Sequence, residues 1–252
     1  MPIGWSQGAF GRVVSRSPVD GCPAVQKRTN EQCANELFFL TQLRNHPNIV
    51  RVFAHACSPG VLVLEACKTS LEDILEARQT FNLQELASCT LAALAYMHGQ
   101  YIAHNDIKPP NILCGQTWKI CDFGNAVSMP LDHLCIPDRG YTQAYAAPEL
   151  VLAADLRAKI NVAKADMWSF GVTMLHAACE NNNREDLFEH VSGVVILHLF
   201  NIYDIQTATT LPSIQPFLQL LEAKVPDLAL HMSELLCVYA DERCDAHTLV
   251  KN

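Results

Sequence analysis

The segment that most constrains this chain is His-Asn-Asp-Ile-Lys-Pro-Pro-Asn, which occupies residues 104–111. It places Asp106, Lys108 and Asn111 at offsets of zero, two and five. A carboxylate can orient an attacking hydroxyl, an ammonium can steady a transferring phosphoryl group, and an amide oxygen is a hard ligand of the kind that Mg²⁺ prefers. An ordinary polar loop would not need these three side chains at these offsets.

A second chemical segment, Asp122–Phe123–Gly124, follows directly after a predicted strand at Trp118–Cys121. Upstream, Ile112–Cys114 and Trp118–Ile120 flank Gly115–Gln116–Thr117, which predicts a tight hairpin. A carboxylate at the end of such a strand can reach a metal ion that bridges two phosphates. Taken alone, Asp-Phe-Gly would equally suit a simple turn.

The N-terminal part supplies two weaker signals. Gly8 and Gly11 precede a predicted strand at Val13, and glycines there let backbone N–H groups approach phosphate oxygens. Lys27 ends a short predicted strand, and Glu36 lies on the predicted helix that follows, so that the Glu could hold the ammonium toward phosphates. Each signal also has an ordinary explanation, as a hairpin turn or as a pair of surface charges.

The four motifs occur in one order and are followed by Ala147–Pro148–Glu149 and by Asp166–Gly171. Together they resemble the signature set of the eukaryotic protein kinases of the Ser/Thr type. The resemblance implies an α+β, bilobal fold in which all of residues 1–252 form one catalytic domain. Its small β-rich lobe would comprise residues 1–64, its hinge residues 65–67, and its larger helical lobe residues 68–252.

The same resemblance implies ATP and Mg²⁺ as cofactors and a protein as substrate, and it assigns roles to individual residues. The catalytic group is Asp106, Lys108, Lys27 and Glu36. The ATP-binding group is Gly8, Gly11, Val13, Val25, Lys27, Glu65, Cys67 and Leu113, and the metal ligands are Asn111 and Asp122. The activation segment contributes Thr142 and Glu149, with Arg243 as the partner of Glu149. Leu40, Val52, His104 and Phe123 match the apolar stack between the lobes, and a regulatory protein is expected near the Glu36 helix.

The sequence also departs from the family pattern. Ser6 stands where the first loop glycine is usual, unless Gly4 takes that place, and Asn105 replaces the arginine before the catalytic aspartate. Lys108 and Thr142 are typical of Ser/Thr specificity. The region around Ala146 is faintly similar to the cyclin-dependent and MAP kinase branch, but that branch has an arginine at this position, so proline-directed specificity does not follow.

Composition excludes several other functions. A net charge of −8 argues against a nucleic-acid binder, and the longest apolar run, near Val194–Phe200, is too short to span a membrane. Eleven cysteines without a C-x-x-C pair, and an N-terminus without a secretory pattern, favour an intracellular protein in the cytoplasm or nucleus. Two alternatives stay open: a pseudokinase scaffold with the same fold and, less favoured, a small-molecule kinase.

Overall fold

The computed structural model describes residues 12–28, 33–44, 46–56, 60–136, 140–179, 215–237 and 239–250. The predicted phosphate-binding glycines Gly8 and Gly11, together with Gly4 and Ser6, lie outside the described residues. Within the described ranges, strands dominate the N-terminal part and helices dominate the rest. The predicted α+β class is therefore confirmed.

The N-terminal part contains a four-stranded antiparallel sheet with the strand order β1-β2-β4-β3. Its strands are β1 (Arg12–Val19), β2 (Cys22–Arg28), β3 (Val52–Ala56) and β4 (Val61–Glu65). Strands β1 and β2 are joined by Asp20 and Gly21, both with positive φ, the backbone that a two-residue hairpin turn requires. The strand predicted to end at Lys27 is confirmed.

One helix, α1 (Cys33–Gln42), connects the second and third strands and covers the sheet. It buries Phe39 and Leu40, and Leu43 just beyond its end is fully buried as well. The buried face also carries Glu36, which is 1% exposed. Because a buried carboxylate needs a partner, this position points to a built contact rather than to a surface charge.

The C-terminal part is built around a nearly completely buried helix, α5 (Val162–Ala178). The helices described there are α2 (Leu71–Glu76), α3 (Leu83–Gly99), α4 (Pro148–Leu156), α5 (Val162–Ala178), α6 (Gln215–Lys224), α7 (Pro226–Leu230), α8 (Met232–Leu235) and α9 (Ala246–Val250). Every residue from Val162 to Ala178 except Lys164 is buried, as expected of a helix at the centre of a folded unit. No helix in the described part of the chain is long and apolar enough to cross a membrane.

Short strands hold the segments that carry the motifs. They are β5 (Thr69–Ser70), β6 (Ile102–Ala103), β7 (Ile112–Cys114), β8 (Trp118–Ile120), β9 (Val127–Ser128), β10 (Leu134–Cys135) and β11 (Ile160–Asn161). Strands β7 and β8 form the predicted hairpin, and β5 joins its edge. Strand β6 pairs with β9, so that the chain before His104 lies beside the chain after Asp122.

A bridge joins the segment before β3 to the hairpin of the helical part. Ile49 forms an isolated parallel bridge with Ile120, and the backbone N–H of Val50 donates to Ile120 O at 2.9 Å. The Asn48 amide adds a bond to Trp118 O at 2.9 Å. Residues 48–50 are therefore fixed to the C-terminal part, although in the sequence they lie between α1 and β3 of the N-terminal part.

Candidate active site

Lys27 on β2 contacts two carboxylates from different parts of the chain. Its Nζ lies 2.9 and 2.8 Å from the two oxygens of Glu36 on α1, and 2.8 Å from Oδ1 of Asp122. The side chains of Lys27 and Glu36 are 9% and 2% exposed. The contact predicted between Lys27 and Glu36 is present, and the structure adds Asp122 to it.

The surroundings of Lys27 act on its pKa in opposite directions. Burial lowers the pKa, but the carboxylates of Glu36 and Asp122 raise it by more, so the pKa lies above the ordinary value of lysine. Burial raises the pKa of Glu36, and the Lys27 ammonium opposes that shift. Since the raised pKa of Lys27 is the folded-state value, its contribution to stability is complete below about pH 10 and is lost only as the pH rises through that folded value.

The loop between β6 and β7 brings a second cluster together. Lys108 Nζ lies 2.8 Å from Asp106 Oδ2 and donates to Thr142 Oγ1 at 2.6 Å. The Thr142 hydroxyl in turn donates to Asp106 Oδ1 at 2.7 Å. The three side chains thus form a closed triangle, and both oxygens of the Asp106 carboxylate are held in place.

Asn111 connects this triangle to the segment that carries Asp122. Its Nδ2 donates to the backbone oxygen of Asp106 at 2.8 Å and to Asp106 Oδ2 at 3.2 Å, while the backbone oxygen of Asn111 accepts from Cys121 N–H at 2.9 Å. Because Nδ2 is used in this way, Oδ1 is the atom of the amide that a cation would bind. The two predicted metal ligands, Asn111 and Asp122, therefore lie in adjoining, hydrogen-bonded segments.

The oxygen donors of this region fit Mg²⁺ bound together with phosphate. Within the described ranges there is no group of three or more His, Cys, Asp or Glu side chains that could hold a metal. Mg²⁺ is usually bound by one or two protein oxygens, with waters and substrate phosphates completing its shell. Asp122 and Asn111 match that donor set, with one oxygen of Asp122 already directed at Lys27.

Asp166 on α5 fixes the backbone of the loop. Its Oδ2 accepts from His104 N–H at 2.8 Å and its Oδ1 accepts from Asn105 N–H at 2.8 Å, while His98 Nε2 lies 3.0 Å from Oδ2. Asn105 has a φ of 64°, in the left-handed region that Asn tolerates better than most residues. Both polar atoms of its side chain are buried without a hydrogen-bond partner.

The predicted apolar stack lies beside these polar clusters. The rings of His104 and Phe123 meet edge to face with centroids 4.9 Å apart, and His104 Nε2 lies 2.9 Å from Cys121 O. Phe123 and His104 are fully buried, and Leu40 is 1% exposed, whereas Val52 on β3 is only half-buried. The contact of His104 with Phe123 joins the loop to the Asp-Phe-Gly segment, and Leu40 belongs to the same buried core.

The structure places the predicted adenine-contacting residues on four elements. Val13, Val25 and Leu113 lie on β1, β2 and β7, and Glu65 ends β4. The backbone N–H of Glu65 is already used by Arg51 O at 2.8 Å, so of its two backbone groups only the carbonyl could serve a ligand. Burial raises the pKa of Cys67 to about 12, which keeps this thiol neutral and unreactive.

Glu149 and Arg243 form the ion pair that the sequence predicts. Arg243 Nη1 lies 2.6 Å from Glu149 Oε1, and Nη2 lies 3.1 Å from Oε2, with the arginine side chain 0% and the glutamate 15% exposed. Arg243 also donates to the backbone oxygens of Lys164 and Cys237. Its guanidinium lies 5.3 Å from the centre of the Trp168 ring.

Sequence reasoning missed three residues of the site. Asn35, next to Glu36, donates to backbone oxygens of the segment after Asp122. Asp166 was noted only as the first residue of the segment Asp166–Gly171, and Asn48 was given no role of its own. The adjacency of Asn35 and Glu36 was the one available signal for Asn35, but an Asn near the start of a helix is too common to stand out.

Comparison with known proteins agrees with this geometry. The family described as the protein kinase domain matches residues 22–252. The chain therefore belongs to the protein kinase family.

Individual relatives are similar at a moderate level. The mouse inhibitor of nuclear factor kappa-B kinase subunit epsilon is 35% identical over 62% of this chain, and human serine/threonine-protein kinase TAO2 is 33% identical over 68%. Aurora kinase of Schizosaccharomyces pombe is 32% identical over 68% of this chain. The matched segments span 24%, 15% and 51% of the lengths of these three relatives.

Proposed function

We propose that this chain transfers the γ-phosphoryl group of ATP, with Mg²⁺, to Ser or Thr hydroxyls of protein substrates. The observation that carries the proposal is the triangle of contacts among the side chains of Asp106, Lys108 and Thr142. Asn111 is hydrogen-bonded to Asp106 and links this triangle to the segment of Asp122. A carboxylate held by an ammonium and a hydroxyl, beside oxygen donors that suit a hard cation, is an arrangement for phosphoryl transfer.

The side chains of the site have separate roles in the proposed reaction. ATP with Mg²⁺ supplies the phosphoryl group and neutralises its developing charge. Lys27, charged because two carboxylates raise its pKa, is positioned to bind phosphate oxygens. Asp106 is positioned to orient the acceptor hydroxyl and accept its proton, Lys108 to steady the transferring group, and Thr142 to fix the geometry of both.

Two features support Ser/Thr proteins as substrates, and the cysteines bear on the compartment. Lys108 and Thr142, the residues typical of Ser/Thr specificity, are in direct contact. The relatives named above include a serine/threonine-protein kinase. In the part of the chain that the structure describes, none of the ten cysteines forms a disulfide, which suits a reducing intracellular compartment. A regulatory protein would act most directly on α1, because that helix carries Glu36.

The test combines binding with turnover. Millimolar Mg·ATP should raise the melting temperature, since a ligand at a hundred times its Kd stabilises a protein by about 2.7 kcal/mol. The purified protein should also transfer radiolabelled phosphate to a Ser/Thr peptide library, and Asp122→Asn should not. Absence of both effects would refute the proposal. A thermal shift without transfer would identify the alternative, a nucleotide-binding pseudokinase.

A further inference from the structure

The side chain of Asn35 lies against the backbone just after Asp122. Its Nδ2 is 3.3 Å from Phe123 O, 2.9 Å from Gly124 O and 3.1 Å from Ala126 O. One amide group on α1 therefore contacts three backbone carbonyls of a single turn. This contact is made directly between α1 and the segment that carries Asp122.

The three acceptors fix the orientation of the amide. Carbonyl oxygens cannot donate, so only the NH₂ side of the amide can face them, and its two hydrogens are shared among three oxygens. The turned amide would place its oxygen against three other oxygens and would be repelled. Asn35 is therefore a donor here, and a carboxylate of the same shape could not replace it.

The position of Asn35 next to Glu36 couples two contacts. Glu36 holds Lys27 and accepts a hydrogen bond from the backbone of Phe123. Asn35 holds the carbonyls of Phe123, Gly124 and Ala126. A movement of the first turn of α1 must therefore loosen the Lys27 contact and the segment of Asp122 together.

We propose that Asn35 is a positioning residue that clasps α1 to the segment after Asp122 and so keeps the Asp122 carboxylate in place. The proposal rests on the function given above, because it concerns how that same site is held in its working arrangement. The clasp uses neutral hydrogen bonds and no phosphate. It is a property of the folded chain itself.

Amide hydrogen exchange of the nucleotide-free protein tests the clasp without any catalysis. Asn35→Asp keeps the shape and removes the donors, Asn35→Ala removes the side chain, and Gln42→Glu makes the same amide-to-carboxylate change at an exposed position of α1. Both Asn35 variants should accelerate exchange in residues 123–128 and in the first turn of α1 by about tenfold, the effect of losing one or two hydrogen bonds. Gln42→Glu should exchange like the wild type.

Steady-state kinetics tests the consequence for the reaction. Misplacement of Asp122 should raise KM for Mg·ATP by about tenfold and lower kcat, while KM for the peptide stays unchanged. A variant that is merely less stable would lower the active fraction and leave KM for Mg·ATP as in the wild type. This difference separates a positioning role from a general loss of structure.

Different outcomes would refute the clasp and the proposed function. An inactive wild type would overturn the proposed function, whereas the exchange rates would still decide on Asn35. Wild-type exchange in residues 123–128 of both Asn35 variants would refute the clasp, whatever their activity. If Asn35→Asp does not fold, Asn35→Ala, which introduces no repelled charge, gives the decisive exchange measurement.

Discussion

At the scale of single residues, the site consists of two clusters in which charged and polar side chains bind one another. The Asp106 carboxylate contacts the side chains of Lys108, Thr142 and Asn111, which come from two segments of the chain. The Lys27 ammonium likewise forms ion pairs with the carboxylates of Glu36 and Asp122. Each of the two clusters contains a group assigned to a different part of the reaction, so substitutions in them should have different kinetic effects.

Asp106→Asn should lower kcat by about a hundredfold or more, because the acceptor hydroxyl loses its base, while the affinity for ATP changes little. Lys27→Met should instead raise KM for ATP as well as lower kcat, since it removes the cation assigned to the phosphates. Steady-state kinetics with direct ATP-binding titrations measures both. Equal and small effects of the two substitutions would contradict the assignment of roles.

Arg243→Ala should lower the free energy of unfolding by about 3–5 kcal/mol, because Glu149 and two carbonyls lose a buried cation. Denaturant titration measures the loss. Arg44→Ala is the control, since Arg44 is exposed and its replacement should change stability by less than about 0.5 kcal/mol. A stable Arg243→Ala protein would show that the buried ion pair contributes little.

At the scale of elements, capping shows how local chemistry sets a boundary. Helix α2 begins with a complete capping box, in which Ser70 Oγ accepts from Asp73 N–H at 3.1 Å and Asp73 Oδ2 accepts from Ser70 N–H at 3.0 Å. Helix α3 has a single side-chain cap, since Asn82 Oδ1 accepts from Glu85 N–H. The start of each helix is therefore fixed by polar side chains of its first residues.

Ser70→Ala should lower the free energy of unfolding by about 1 kcal/mol, because Asp73 N–H at the start of α2 loses its acceptor and Asp73 Oδ2 loses the Ser70 hydroxyl. Ser88→Ala is a matched control inside α3, where the serine only bonds back to Gln84 O. Alanine is a better helix former there, so this control should be neutral or slightly stabilising. Equal melting curves for the two variants would contradict the prediction.

Much of the fold follows from local sequence, and the rest depends on distant partners. The β7–β8 hairpin, α5 and the strand that carries Lys27 were predictable, because period, apolar runs and turn residues lie within each segment. The two-residue strands β9 and β10 were not, since each is defined by a partner far away in the chain. The same holds in the site: Lys108 and Asp106 belong to a recognisable motif, whereas Asn35 acquires its role only when α1 packs on residues 123–126.

At the scale of the whole molecule, the structure bears on how activity is controlled. In many kinases, a phosphate on the activation segment pairs with the arginine before the catalytic aspartate. Here that residue is Asn105, whose buried amide cannot make a bidentate, charge-assisted contact. Between residues 125 and 140 the sequence offers only Ser128 as a hydroxyl, before Tyr141 and Thr142. Thr142 is already bonded to Asp106.

We therefore expect phosphotransfer to be independent of phosphorylation in this segment. Treatment of the purified protein with a broad phosphatase, followed by an assay on an added peptide, should leave the rate within about tenfold, which corresponds to about 1.4 kcal/mol in the barrier. Ser128→Ala is the control for the exposed serine. A larger loss that is reversed by rephosphorylation at Ser128 or Tyr141 would defeat this expectation.

The bridge between residues 48–50 and β8 makes α1 a lever. Its C-terminal end leads into Leu43, which is fully buried, and then into a segment that is hydrogen-bonded to Trp118 and Ile120. If α1 tilts about this end, Asn35 lies about 12 Å from the axis of the tilt, counted from Leu43 at 1.5 Å per residue. A tilt of about ten degrees would move Asn35 by about 2 Å at that radius, enough to separate it from all three carbonyls. A small force applied to the first turn of α1 would therefore have the greatest mechanical advantage over the site.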